Sequence, residues 1–124
     1  MIKPASLQLE SELADLGLTG LPWLLFIGCY FIVNPVLEEL FWRGYLGQRT
    51  RGLTWNDVWF SGYHVLVAVN FTWWPWVVAS FLVLVAISWV WRQFARQARG
   101  LLLPILSHTA ADASIILAVF LLAR

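Results

Sequence analysis

Charge is what this chain has least of. Asp, Glu, Lys and Arg make up 12% of its 124 residues, against roughly 25% in soluble domains. The net charge is only +1, so no basic surplus points to nucleic acid, whose recognition rests first on phosphate neutralisation. Cysteine occurs once, at Cys29, which excludes a disulfide framework within the chain. Lying in an apolar run, Cys29 reads as a small buried packing residue. A cleavable signal pattern is missing too. Lys3 is mixed with Glu10, Glu12 and Asp15, and no small-residue cleavage site follows the apolar run. Internal repeats and low-complexity segments are absent.

What is present is apolar. Hydrophobic residues make up 60% of the chain, and nine of its residues are Trp. A soluble domain of this length could not hide so much apolar surface, so the excess must face lipid or a partner. Trp favours the membrane–water interface. The expected architecture is an all-α, polytopic transmembrane helix bundle of about four spans, each long enough for a hydrocarbon layer of about 30 Å.

Residues 1–20 read as a tail or a short interfacial helix, with Leu9, Leu13 and Leu16 at helical spacing; residues 21–124 read as the core. The first apolar run is Leu21 to Leu37, opened by Pro22. Pro35 should kink or break it, the helix resuming through Glu38, Glu39 and Arg43 and ending between Gly44 and Gly47. Residues 48–53 form a polar loop. Thr54, with Asp57 three positions on, then looks like a capping box, opening a helix to about Asn70. An interfacial turn at Phe71 to Trp76 leads to a third span, Pro75 to Trp91, closed by Arg92, Arg96 and Arg99. The fourth runs from Leu101 to Leu122. Arginines follow spans one and three but not span two, so the positive-inside rule places loops 48–53 and 92–100 in the cytoplasm.

Ionisable groups inside such spans are costly and call for a reason. They fall into three groups. In Glu38-Glu39-Leu40-Phe41-Trp42-Arg43, Glu39 and Arg43 share a helix face and can pair. Glu38 lies about 100° around the helix and lacks that partner, a layout suited to a general base. In Phe60-Ser61-Gly62-Tyr63-His64, a histidine stands near the middle of span two. In His108-Thr109-Ala110-Ala111-Asp112, histidine and aspartate share a face of span four. Each group alone could be a charged helix end, a packing histidine or a helix-to-helix hydrogen bond. Together, they could hold a water between Glu38 and His64 and stabilise an oxyanion with His108 and a protonated Asp112.

The same residues resemble a known family. Asn34 to Gly44 looks like the EExxxR motif of the CPBP intramembrane proteases. These comprise the type II CAAX prenyl proteases and their bacteriocin-processing and immunity-type (Abi) relatives. Phe60 to His64 matches the family's FxxxH motif. His108 to Asp112 matches HxxxN-or-D, preceded by the typical Leu103-Pro104-Ile105-Leu106. The resemblance covers about residues 30–120 and implies a hydrolase that cleaves a peptide or lipidated protein end at the membrane. Glu38 would be the general base and His64 would hold the water. His108 and Asp112 would form the oxyanion site, with Glu39, Arg43 and Phe60 in support. By ligand type, Glu38, His64 and His108 could also hold zinc as in a metalloprotease; a metal-free glutamate mechanism is equally implied. Family members usually have more spans, so part of the cavity wall is expected from a second copy or from upstream helices. Asp112 stands where prenyl-protein proteases typically have Asn, and an ionised Asp112 would repel an oxyanion. The bacterial relatives imply a location integral to a bacterial plasma membrane. Two other functions fit parts of the pattern. One is a non-catalytic immunity or scaffold protein. The other is a haem protein with His64 and His108 as axial ligands, which leaves Glu38 and Glu39 unexplained.

Overall fold

The computed structural model describes residues 14–70 and 72–122. Most of the expected interfacial helix lies outside them. The described residues form four helices and no β-strand: α1, Leu21–Tyr45; α2, Trp55–Ala68; α3, Trp74–Ala98; and α4, Leu102–Leu122.

Of the kink or break expected at Pro35, the break does not occur, and α1 runs on through it. A proline removes one amide hydrogen and crowds the carbonyl four residues back. The chain widens instead into a π-helical turn over Cys29–Val33, where the Asn34 amide bonds to the Cys29 carbonyl five residues back. A second wide turn, Leu40–Tyr45, ends as the Leu46 amide bonds to the Phe41 carbonyl at 2.9 Å. Helix α2 opens on the capping box read from Thr54 and Asp57, the Thr54 amide donating to Asp57 Oδ2 at 2.8 Å. It has 14 residues, about 21 Å at about 1.5 Å per residue, which is less than the hydrocarbon layer. Among the described residues, α1 and α3, 25 residues each, are long and apolar enough to cross a membrane; α4 has 21 residues, about 31 Å. The expected four spans are thus four helices of unequal reach.

The packing is inside out. Leu24, Leu25, Ile32, Trp59, Leu66 and Leu82 are exposed, whereas Glu39, Arg43, Asp57, Arg92 and His108 are buried. Lipid is as apolar as leucine, so burying leucine gains little between membrane helices. Close packing and interhelical hydrogen bonds hold them together instead. Cys29, read as a buried packing residue, is exposed on α1.

Arg92 also departs from expectation. It does not close the third span as a loop charge but lies inside α3, 3% exposed, against an Asp57 that is 1% exposed. Its Nη2 donates to Asp57 Oδ2 at 2.7 Å, and Nε reaches both carboxylate oxygens at 3.1 and 3.2 Å. Its remaining hydrogens go to the carbonyls of Thr50 at 2.7 Å and Gly52 at 2.6 Å. One guanidinium therefore ties α3 to α2 and to the α1–α2 loop. The same loop folds tightly over the end of α1, where a Cβ on Gly47 would meet the Arg43 carbonyl oxygen at 1.9 Å.

Removing one partner of a buried ion pair costs about 3–5 kcal/mol. Arg92→Met is expected to lose that much in unfolding measured in detergent micelles. Arg51→Met, at an exposed position, should lose under about 0.5 kcal/mol. Equal losses would contradict this reading of Arg92.

Candidate active site

The wide turns of α1 frame Asn34–Glu39, which presents two adjacent glutamates to different surroundings. Glu39 is fully buried. Its Oε1 accepts from Arg43 Nη1 at 2.9 Å and lies 2.9 Å from His108 Nδ1 on α4. Arg43 reaches on to Ser88 of α3 through Nη2 at 2.9 Å. The Ser88 hydroxyl donates to Asp57 Oδ1 on α2 at 3.2 Å. Glu38 faces the other way. Its Oε1 accepts from Asn34 Nδ2 at 3.1 Å, and its Oε2 lies 3.4 Å from His64 Nε2 and 3.8 Å from His108 Nε2.

The hydrogen bonds assign the imidazole nitrogens. His64 Nδ1 lies 2.8 Å from the Phe60 carbonyl oxygen, which only accepts, so Nδ1 carries a hydrogen. His108 Nδ1 likewise donates to the Glu39 carboxylate. Both rings therefore turn Nε2 toward Glu38. One ligand atom each from Glu38, His64 and His108 falls within 4.8 Å of the others. Glu38 Oε2, Glu39 Oε2 and Asp112 Oδ2 are buried without a hydrogen-bond partner. The site thus gathers acceptors, and a water, a substrate N–H or a cation would complete it.

All seven residues singled out in the sequence come together. Phe60 is the aromatic hub. Its ring centroid is 4.3 Å from that of His64 and 5.9 Å from that of His108, and the Arg43 guanidinium carbon stands 4.1 Å above it. Asp112 is the loosest member, with Oδ1 3.7 Å from His108 Nε2. The nearer carboxylate partner of His108 is Glu39, across helices, not the expected i+4 aspartate.

Four further residues contribute to the site without having been assigned to it from the sequence. Asn34 holds Glu38, and its spacing of four residues before that glutamate was a readable signal. Trp91 stacks on His108 at 4.4 Å and 28°, although its place at the end of an apolar run reads as an interface anchor. Ser88 and Asp57 complete the chain behind Arg43, and Ser88 carried no local signal. Beside the site lies a cavity of about 300 Å³ lined by Asn34, Leu37, Glu38, Phe41, Trp42 and Tyr63. It shares Phe41, Trp42 and Tyr63 with an apolar groove of about 540 Å³ that continues past Trp59, Gly62 and Leu66.

A family model described as type II CAAX prenyl endopeptidase Rce1-like matches residues 20–114. The match contains all three helix-borne motifs. No curated protein and no solved structure matches the chain.

The two glutamates should separate in a stability measurement. Glu39→Gln weakens a buried oxygen shared by Arg43 and His108 and is expected to cost about 3–5 kcal/mol. Glu38→Gln keeps an acceptor for Asn34 and should cost under about 1 kcal/mol. Unfolding in detergent micelles reads both. A Glu38→Gln loss as large as that of Glu39→Gln would contradict the division.

Proposed function

The chain belongs to the type II CAAX prenyl endopeptidase Rce1-like family, and from that premise we propose that it is an intramembrane endopeptidase in which Glu38 activates water. The observation that carries this reading is the convergence of Glu38 Oε2 with the Nε2 atoms of His64 and His108 beside an open cavity.

In this mechanism a water donates one hydrogen bond to Glu38 Oε2 and one to His64 Nε2. Glu38 takes the first proton as the water oxygen attacks the peptide carbonyl carbon. The carbonyl oxygen gains the negative charge. His108, acting as an imidazolium with a second proton on Nε2, and a protonated Asp112 donate hydrogen bonds to it. Glu39 keeps the His108 ring aimed through Nδ1, so Glu39 and Arg43 are positioning residues. When the C–N bond breaks, Glu38 returns its proton to the departing amine. Proton transfer by a positioned group is worth about 10²–10⁴-fold in rate, and oxyanion stabilisation supplies a further share.

One observation favours a zinc-assisted variant. The separations of 3.4 and 3.8 Å between Glu38 Oε2 and the two Nε2 atoms approach the roughly 3.4 Å between ligand atoms of a tetrahedral zinc site. Three groups sharing one hydrogen-bonded water would stand about 4.6 Å apart. The donor set of two Nε2 lone pairs and a carboxylate fits zinc. Each imidazole donates its other N–H to a carbonyl or carboxylate, the usual support for a histidine ligand. Bound there, zinc would act as a Lewis acid on the carbonyl. Haem does not fit, because the Glu38 carboxylate occupies the space between the two Nε2 atoms.

The apolar groove leading from Glu38 suits an apolar or lipidated peptide end. With Arg92 buried, Arg49, Arg51, Arg96 and Arg99 still favour a cytoplasmic setting for the ends of the helices that carry them.

The test is cleavage of a lipidated peptide by the protein in liposomes. Glu38→Gln is expected to lower kcat at least 100-fold, with His64→Ala and His108→Ala also impaired. Unchanged activity in Glu38→Gln would overturn the mechanism. Failure of the parent protein to cleave would favour the immunity or scaffold reading. Chelator-sensitive activity restored by zinc would establish the metal-assisted form. Gly62→Leu, which fills open space in the groove, should raise KM for long-chain lipidated substrates several-fold with little change in kcat.

A further inference from the structure

The far side of Arg43 opens on a second cavity, of about 210 Å³, between the end of α1 and the end of α3. Five arginines line it, and they are of two kinds. Arg43 and Arg92 are buried and matched to Glu39 and Asp57. Arg49, Arg96 and Arg99 have no acidic partner among the described residues; Arg96 Nε donates only to Gln93 Oε1, at 2.9 Å. Three cations thus face one hollow with no anion to match them. Arg99, moreover, adopts φ 52°, in the left-handed region, which is costly for any residue with a Cβ and usually falls to glycine. A costly backbone conformation spent on an arginine at the rim of a cavity calls for a use of that side chain.

Depth in the membrane identifies the anion. The apolar stretch of α3 runs from Trp74 to Trp91, 18 residues or about 27 Å, close to the thickness of the hydrocarbon layer. Arg96 lies five residues beyond Trp91, about 7.5 Å along the axis, and Arg99 almost a turn further. The headgroup layer on each face is about 5–8 Å deep. Exposed Trp55 and Trp89 stand at this same end of the bundle, as residues do at the interface. Arg96 is therefore held at the level of the lipid phosphates, and Arg49 and Arg99 line the same cavity from its outer side; basic pockets between membrane helices suit such headgroups.

We infer that the cavity lined by Arg49, Arg96 and Arg99 binds the phosphate of an anionic phospholipid headgroup. The lipid braces the α1–α2 loop against the α3 terminus, directly behind the Arg43 that holds Glu39. This site is separate from the peptidase reading and stands or falls without it.

The test uses the full chain in neutral detergent and dansyl-labelled phosphatidylglycerol, read by energy transfer from the protein's tryptophans. Transfer is expected to saturate and to be competed by unlabelled phosphatidylglycerol, but not by phosphatidylcholine. Arg49→Gln, Arg96→Gln and Arg99→Gln should each weaken binding about fivefold, whereas Arg51→Gln, outside the cavity, should not. Circular dichroism checks that each variant folds, and the single variants carry the test should the triple variant fail to fold. Equal competition by phosphatidylcholine, or unchanged binding in all three single variants, would overturn the site. Competition by inorganic phosphate at matching concentration would make it a free-anion site and overturn the lipid.

Discussion

The structure hangs on one oxygen. Glu39 Oε1 receives Arg43 from its own helix and His108 from α4, each at 2.9 Å, in full burial. From Arg43 the chain of polar contacts passes to Ser88 on α3 and Asp57 on α2, and from Asp57 to Arg92 and the α1–α2 loop. All four helices are thereby joined through one line of side chains. Such a line is costly to desolvate and is favourable only when its members satisfy one another. Its worth lies in specificity. Apolar contacts alone would let these helices slide in lipid, whereas a shared carboxylate oxygen admits one register.

That constraint accounts for the unequal lengths. Helix α2 does not need to be long enough to span the bilayer, because its place is set by Asp57 at its first turn and Phe60 one turn on. Helix α3 provides the long apolar wall and ends in arginines that divide their work. Arg92 turns inward to complete the polar line, and Arg96 and Arg99 line the cavity at the end of the helix. The tryptophans divide likewise: Trp91 covers His108, while Trp89 on the same turn is exposed and donates to the Arg51 carbonyl at 2.8 Å.

Much of this was legible in the residues. An apolar chain with carboxylates and histidines inside its runs reads as a membrane bundle with a polar interior, and the three motifs name the residues that meet. The Thr54–Asp57 cap was legible because capping is local. Arg92 was not, because its partner is 35 residues away in sequence and its neighbours Arg96 and Arg99 make it look like one more loop charge. That Pro35 leaves α1 unbroken was hidden for a related reason. Its rule describes an α-helix that must keep its pitch, and a helix free to widen by one residue per turn can pass the proline intact. Ser88, like Ser80, is an isolated hydroxyl in an apolar run, and only the assembled bundle shows what it links.

The adjacency of Glu38 and Glu39 then takes on a physical meaning. Two neighbouring residues on a helix point about 100° apart, so one can be bound into the interior while the other faces a cavity. Glu39 is fixed between a guanidinium and an imidazole. Each glutamate has one unpartnered oxygen, but that of Glu39 is sealed in the interior, whereas Glu38, oriented by Asn34, lines a cavity. Reversing the two would turn the cavity-facing carboxylate against Arg43 and leave His108 without the oxygen that orients it. The wide turns on either side of Asn34–Glu39 bear on the same point. A change of pitch before and after the pair sets its rotation independently of the rest of α1, so the helix can present apolar residues to lipid along its length and still turn two carboxylates inward at the one level where α2 and α4 bring their histidines.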